Sequence, residues 1–299
     1  MSVLTLGNQI AHLLVWLLVA PLLEGLARWF GARLQGRRGG SWLAPYRELG
    51  QGLAQSPSLP LGSSPLSQGA PYLSLGAVVL AAALVPWWLL PPLGKEAADG
   101  FSLLGLLFVA WLLPTLSTLD ADEPGAQSEA ARSLSLLVFA VPAVFLLWMS
   151  ESAQHSELGA VILSANKQDT GWMAAFSLSK LLALASLAAL VSASVPAENA
   201  PFNGRHLALV RYSEQVRRAL LCGLVGALFL PSGLSESNEV EDLGLAFGIG
   251  LAKLVVLRVL WAALSVRTLR APFFARARVA AFGLGAAFLA AIAAMLRGG

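Results

Sequence analysis

The stretch Ala32-Arg33-Leu34-Gln35-Gly36-Arg37-Arg38-Gly39-Gly40 follows directly on an apolar run over 8–30. About 20 apolar residues, rising 1.5 Å each as a helix, cross the roughly 30 Å of bilayer hydrocarbon. Arginines beside such a run are retained on the cytoplasmic side. The cluster therefore identifies the run as a membrane span and fixes which of its ends faces the cytoplasm. No charge precedes the run, whereas a secretory leader carries its basic residues first, so the run reads as a retained span.

The rest of the chain agrees. It is 57% hydrophobic and 12% charged, against about 45–50% and 25% in soluble domains, and its mean hydropathy is +0.69. Apolar runs of spanning length fall at about 8–30, 71–93, 101–118, 134–151, 172–194, 216–232, 243–266 and 279–297. The expectation is an all-α, polytopic integral membrane protein of about eight transmembrane helices, forming one helical domain over 1–299.

Eight spans put both termini on one side, and charge selects the side. The loops after the first, third, fifth and seventh spans hold Arg28, Arg33, Arg37, Arg38 and Arg47, then Arg132, then Arg205, Arg211, Arg217 and Arg218, then Arg267, Arg270, Arg276 and Arg278. The opposite loops hold only Lys95, Lys167 and Arg297. Both termini are thus expected to face away from the cytoplasm. The net charge of +3 follows from this retention and calls for no nucleic-acid partner.

The longest loop, 31–70, is cytoplasmic in this reading. Trp42, Leu43, Tyr46, Leu49 and Leu53 recur at helical spacing, which predicts an amphipathic helix over 42–55 lying flat on the interface with Arg47 and Glu48 outward. The Ser-, Pro- and Gly-rich segment over 56–71 reads as a connector. Pro21, Pro86, Pro114 and Pro142 inside apolar runs read as kinks. Gly244 and Gly248 are spaced for close helix approach. No internal repeat of the kind found in inverted-repeat transporters is visible.

Chemistry-bearing residues are few. A single cysteine, Cys222, supports neither an intrachain disulfide nor a four-cysteine cluster cage. Of the histidines His12, His155 and His206, only His12 falls in a span, so no pair is available for a bis-histidine haem. Charges inside a span cost about 2.5–3.5 kcal/mol each on insertion scales and call for a reason. Glu24 reads either as a boundary carboxylate paired with Arg28, four residues on, or as a carboxylate at the mouth of an internal cavity. Lys180, Lys253 and Arg258 are intramembrane cations, expected to face the bundle interior or a partner subunit, with Lys253 and Arg258 on different faces. Asp120, with Asp122, Glu123 and Glu129, forms an acidic loop suited to a basic partner.

Several of these segments carry a resemblance. The Arg-rich stretch followed by Pro45-Tyr46-Arg47-Glu48, then Pro71-Tyr72, Leu119-Asp120, Glu198 with Pro201-Phe202, and Tyr212-Ser213, together resemble the membrane-anchor subunits of group 4 [NiFe]-hydrogenases and respiratory complex I. That is the formate-hydrogenlyase subunit 4 and NADH-dehydrogenase subunit 1 family, and the hydrogenase branch is the nearer. The resemblance implies a chain of a bacterial inner-membrane oxidoreductase complex, coupled to proton translocation, that makes no bond itself. It implies soluble hydrogenase-like or dehydrogenase-like arm subunits and antiporter-like membrane subunits as partners, beside the lipid bilayer. Glu24, Asp120 and Glu198 become candidates for the coupling cavity, and Arg37, Arg38, Arg47 and Arg211 for the docking or membrane surface. The chain also departs from the family. Asn203 stands where the family has an aspartate, Gly204, Arg205 and His206 replace an acidic run, and Arg211 replaces a glutamate. Those acids are linked in the family to quinone binding or proton coupling, so quinone reduction is not carried over. The other reading is a divergent scaffold or ion-coupling subunit that has lost quinone chemistry. No metal site and no cofactor of the chain's own are expected.

Overall fold

In hydrocarbon the backbone of an apolar segment satisfies its own hydrogen bonds as a helix, and helices are what the chain forms. A computed structural model describes residues 3–57, 64–88, 100–120, 202–229 and 240–268, with scattered residues between 125 and 142 and between 278 and 288. Within the five continuous stretches lie α1 (Val3–Leu34), α2 (Ala44–Ala54), α3 (Pro65–Leu84), α4 (Gly100–Asp120), α5 (Gly204–Phe229) and α6 (Val240–Thr268).

Among the described residues, four segments are long and apolar enough to cross a membrane: Gly7–Leu34, Pro65–Leu84, Gly100–Asp120 and Asp242–Val266. They answer to the first, second, third and seventh predicted spans. The predicted sixth span, over 216–232, overlaps the second half of α5, which opens on Arg217 and Arg218, while the first half carries Arg211 and Glu214. The predicted spans over 134–151, 172–194 and 279–297 fall largely outside the described residues. The amphipathic helix expected over 42–55 is α2. The loop expected over 31–70 is shorter at both ends, because α1 runs on to Leu34 and α3 begins at Pro65.

The ends of these helices have local causes. After α1, Gly36 takes φ +72°, the left-handed conformation that closes helices without steric cost. The Arg37 amide then donates to Ala32 O at 2.9 Å and the Gly36 amide to Arg33 O at 3.0 Å. The Arg-rich turn is thus a helix stop as well as a charge cluster. α3 starts with Pro65 in its first turn, where a missing amide costs nothing. It stops at Leu84, with Val85 extended at φ −78° and ψ 111°. Pro86 forces this, since it disfavours helical geometry in the residue before it. The predicted kink at Pro86 is therefore a helix end, whereas Pro21 and Pro114 lie within helices.

α5 is the hub and packs against each of the other five described helices. Its residues from Ala219 to Ala227 are all buried, and they are small or apolar on every side, as a helix surrounded by others requires. The core joins Trp16 and Leu23 of α1, Val78 and Ala81 of α3, Leu103 of α4, Leu220 and Leu221 of α5, and Leu254 of α6. Burial of apolar surface does not drive helices together in hydrocarbon, so close packing and polar contacts must hold this bundle. Among the described residues nothing approaches Gly244 or Gly248 closely enough to meet an added Cβ.

Polar contacts cluster on α1. Pro21 has no amide, which deprives Leu17 O of its usual donor four residues on. The Tyr212 hydroxyl of α5 donates to Leu17 O at 2.9 Å, and the Tyr46 hydroxyl of α2 donates to the adjacent Leu18 O. Burial against α1 pushes the Tyr46 hydroxyl above its ordinary pKa.

Candidate functional site

Glu24 lies on the buried face of α1, about ten residues or some 15 Å from the end of that helix. It is 5% exposed. Arg28, one turn on, donates from Nε to Glu24 Oε1 at 3.2 Å. Arg218 of α5 approaches the same oxygen at 3.5 Å. Arg258 of α6, itself 5% exposed, donates from Nη2 to Glu24 Oε2. Three helices thus converge on one carboxylate.

The contacts continue outward in both directions. Arg28 Nη1 donates to both oxygens of Glu48 on α2, at 2.9 and 3.1 Å. Arg218 also donates to Glu214, one turn earlier on α5, and Arg217 lies 4.0 Å from Glu214. The result is a continuous chain of three carboxylates and four guanidiniums across α1, α2, α5 and α6. Single charges at such depth are costly, and a buried ion is retained only when its partners satisfy it. Here pairing across helices supplies those partners.

This placement resolves the two sequence readings of Glu24 in part. The pair with Arg28 is present, and it is one of three. Arg258 and Lys253 have different surroundings, as their spacing implied. Arg258 is buried in the ion cluster, and Lys253 is half-buried beside Trp87, Gly223, Gly250 and Leu254. Asp120 is exposed at the last residue of α4, where Oδ2 accepts from the Ser64 amide at 2.9 Å and from Ser67 Oγ at 2.7 Å. It ties the start of α3 to the end of α4 and stands apart from the Glu24 cluster. Arg37 and Arg38 are exposed on the turn after α1, Arg47 is exposed on α2, and Arg211 is half-buried on α5. Glu198 and Lys180 lie outside the described residues.

Sequence reasoning missed Glu214 and Glu48 as members and counted Arg217 and Arg218 only as loop charges. A usable signal existed. Glu214 with Arg217 and Arg218 repeats at i, i+3 and i+4, the spacing of side-chain pairs on one helix face, just ahead of the apolar run over 219–227.

No protein-family model matches the chain. It is similar to formate hydrogenlyase subunit 4 of Escherichia coli K12, with 27% identity over 93% of this chain and 94% of the relative. It is similar also to hydrogenase-4 component C of the same organism, with 23% identity and 84% of each chain covered. In three dimensions it superposes on a chain of the membrane-bound sulfane sulfur reductase, an archaeal respiratory membrane complex, with a TM-score of 0.81 over 97% of this chain and 99% of that one. At 17% identity that likeness speaks for the fold alone. Beside the motif order of the Arg-rich turn, Leu119-Asp120 and Tyr212-Ser213, the chain is thus similar along nearly its whole length to two membrane-complex subunits, formate hydrogenlyase subunit 4 and hydrogenase-4 component C.

Proposed function

We propose that this chain is the membrane anchor of a hydrogenase-like or complex I-like assembly, docking a soluble redox arm onto membrane ion-translocating subunits. The observation that carries the reading is the ion cluster around Glu24. It fastens α1, α5 and α6 to the interfacial helix α2 in the half of the bundle that bears the Arg-rich turn. A docking face on a membrane protein must hold its shape while a partner pulls on it, and paired charges under that face supply the stiffness. Arg37, Arg38 and Arg47 stand exposed above it, where charge complementarity sets register and partner choice. In this reading that end faces the cytoplasm and both termini face away. The chain makes no bond itself, and the redox cofactors belong to its partners.

The test is the double reversal Arg37→Glu with Arg38→Glu, with Lys95→Glu as the opposite-side control. The reversal should release the soluble arm from solubilised membranes while the control retains it, as read by affinity purification and subunit identification. Retention of the arm by the reversal would refute the docking role.

A second reading, a scaffold that has lost quinone chemistry, also has specific support. The Glu24 oxygens are taken up by guanidinium donors, and the family's aspartate is Asn203. Glu198→Gln separates the two readings. Reduced activity in an intact complex favours a coupling role, and wild-type activity favours the scaffold.

A further inference from the structure

Toward the other end of α1, His12 is fully buried. Its Nε2 lies 3.0 Å from Val85 O, the carbonyl at the helix end that Pro86 creates. The Trp16 indole donates to the same oxygen at 3.3 Å. A carbonyl oxygen only accepts, so in the neutral imidazole Nε2 carries the proton and Nδ1 presents a lone pair. Trp88 stacks on the imidazole, with planes 15° apart and centroids at 6.1 Å. Trp87 lies 6.5 Å from the imidazole centroid and 6.2 Å from Trp88, and Phe247 packs on both indoles with ring centroids at 5.3 and 5.6 Å.

Three polar atoms in this cluster have no hydrogen-bond partner among the described residues: His12 Nδ1, Trp87 Nε1 and Trp88 Nε1. Trp87 and Trp88 are only 4% and 7% exposed. One is an acceptor and two are donors. Buried polar groups are paired as a rule, with protein or with ordered water. The molecule that fits one acceptor and two donors is water, which can donate to the imidazole and accept from an indole. Space adjoins the cluster. A small cavity bounded by Trp87 and Lys253 is floored by Gly223 and Gly250. A Cβ on Gly223 would lie 2.5 Å from the Trp16 ring, and one on Gly250 would lie 2.7 Å from Trp87 O. Glycine at both positions is what lets the indoles sit there.

We propose that His12, Trp87 and Trp88 form an internal water-binding site, held between α1, the segment that follows α3, and α6, next to the cavity that Trp87 shares with Lys253. The bound water accepts from an indole N–H and donates to His12 Nδ1. This gives the membrane-embedded bundle a hydrated imidazole about 18 Å along α1 from Glu24, twelve residues away.

Radiolytic footprinting of the assembled complex tests it, because hydroxyl radicals made from a resident water oxidise the side chains that touch it. Trp111, 6% exposed on α4, is the control of equal burial. Trp87 and Trp88 should be oxidised faster than Trp111. His12→Gln should keep that excess, since an amide offers both a donor for Val85 O and an acceptor for the water. His12→Phe should abolish it. Should His12→Phe fail to assemble, the wild-type and His12→Gln measurements still decide. Oxidation of Trp87 and Trp88 at the Trp111 rate would overturn the proposal, as would an excess that survives in assembled His12→Phe.

Discussion

Replacing Glu24 by Gln keeps the shape of the side chain and removes its charge, in a place where three guanidiniums depend on it. Arg258 and the Glu24 carboxyl are each 6% exposed as side chains, so neither charge can turn to water. Removing one partner of a buried pair costs about 3–5 kcal/mol, because the remaining charge is left without compensation. The outer end of the same cluster sets the scale. Arg28 and Glu48 are 43% and 41% exposed, and an exposed pair contributes roughly 0–1 kcal/mol. Glu24→Gln should therefore destabilise the bundle several-fold more than Glu48→Gln, though both remove one carboxylate from one network. The double change Glu24→Met with Arg258→Met should recover much of the loss, since apolar residues of similar volume replace a buried pair at little cost. Unfolding of the complex in mixed micelles with a rising fraction of denaturing detergent, followed by far-UV circular dichroism, measures all three variants. Equal loss in Glu24→Gln and Glu48→Gln would refute the view that the buried cluster holds the helices together. A double variant no better than Glu24→Gln alone would refute the pairing of Glu24 with Arg258.

Tyr212→Phe removes the donor to Leu17 O and should cost about 0.5–1.5 kcal/mol. In a Pro21→Ala background position 21 has an amide for that carbonyl, and the cost should fall toward zero in the same unfolding assay. Gly223→Ala drives a Cβ to 2.5 Å from Trp16 and should destabilise by about 1–3 kcal/mol, as overpacking does, whereas Gly105→Ala, which meets open space, should not. For topology, Ala97→Cys and Ser237→Cys in a Cys222→Ala background should react with an impermeant thiol reagent in intact cells. Labelling of Gly125→Cys instead would invert the orientation drawn from the arginines.

How much of this was legible in the sequence depends on how far apart the interacting residues lie. Spanning helices follow from composition and length, because hydrocarbon allows a backbone few alternatives. α1, α4 and α6 accordingly lie close to the apolar runs that announced them. α2 was legible from periodicity, and the likeness to hydrogenase membrane subunits from a series of short motifs in order. α3 lies six residues earlier at its start and nine earlier at its end than the predicted run, since apolarity alone does not tell which proline opens a helix and which one ends it.

The candidate site was legible only where its members are neighbours in the chain. Glu24 with Arg28 is one helical turn and could be read directly. Arg258 lies 234 residues away, and no local pattern states that α6 brings it to α1. His12 was visible merely as a histidine in a span. Its pairing with Val85 O depends on α3 ending at Leu84 and on two glycines that admit Trp16 and Trp87. Sequence alone determined which segments are long and apolar enough to enter a membrane and which of their ends carry charge, because transfer into lipid is a sum over each segment's own residues. The tertiary structure decided which charges meet and which polar atoms remain to be satisfied, because those outcomes depend on how separate helices pack.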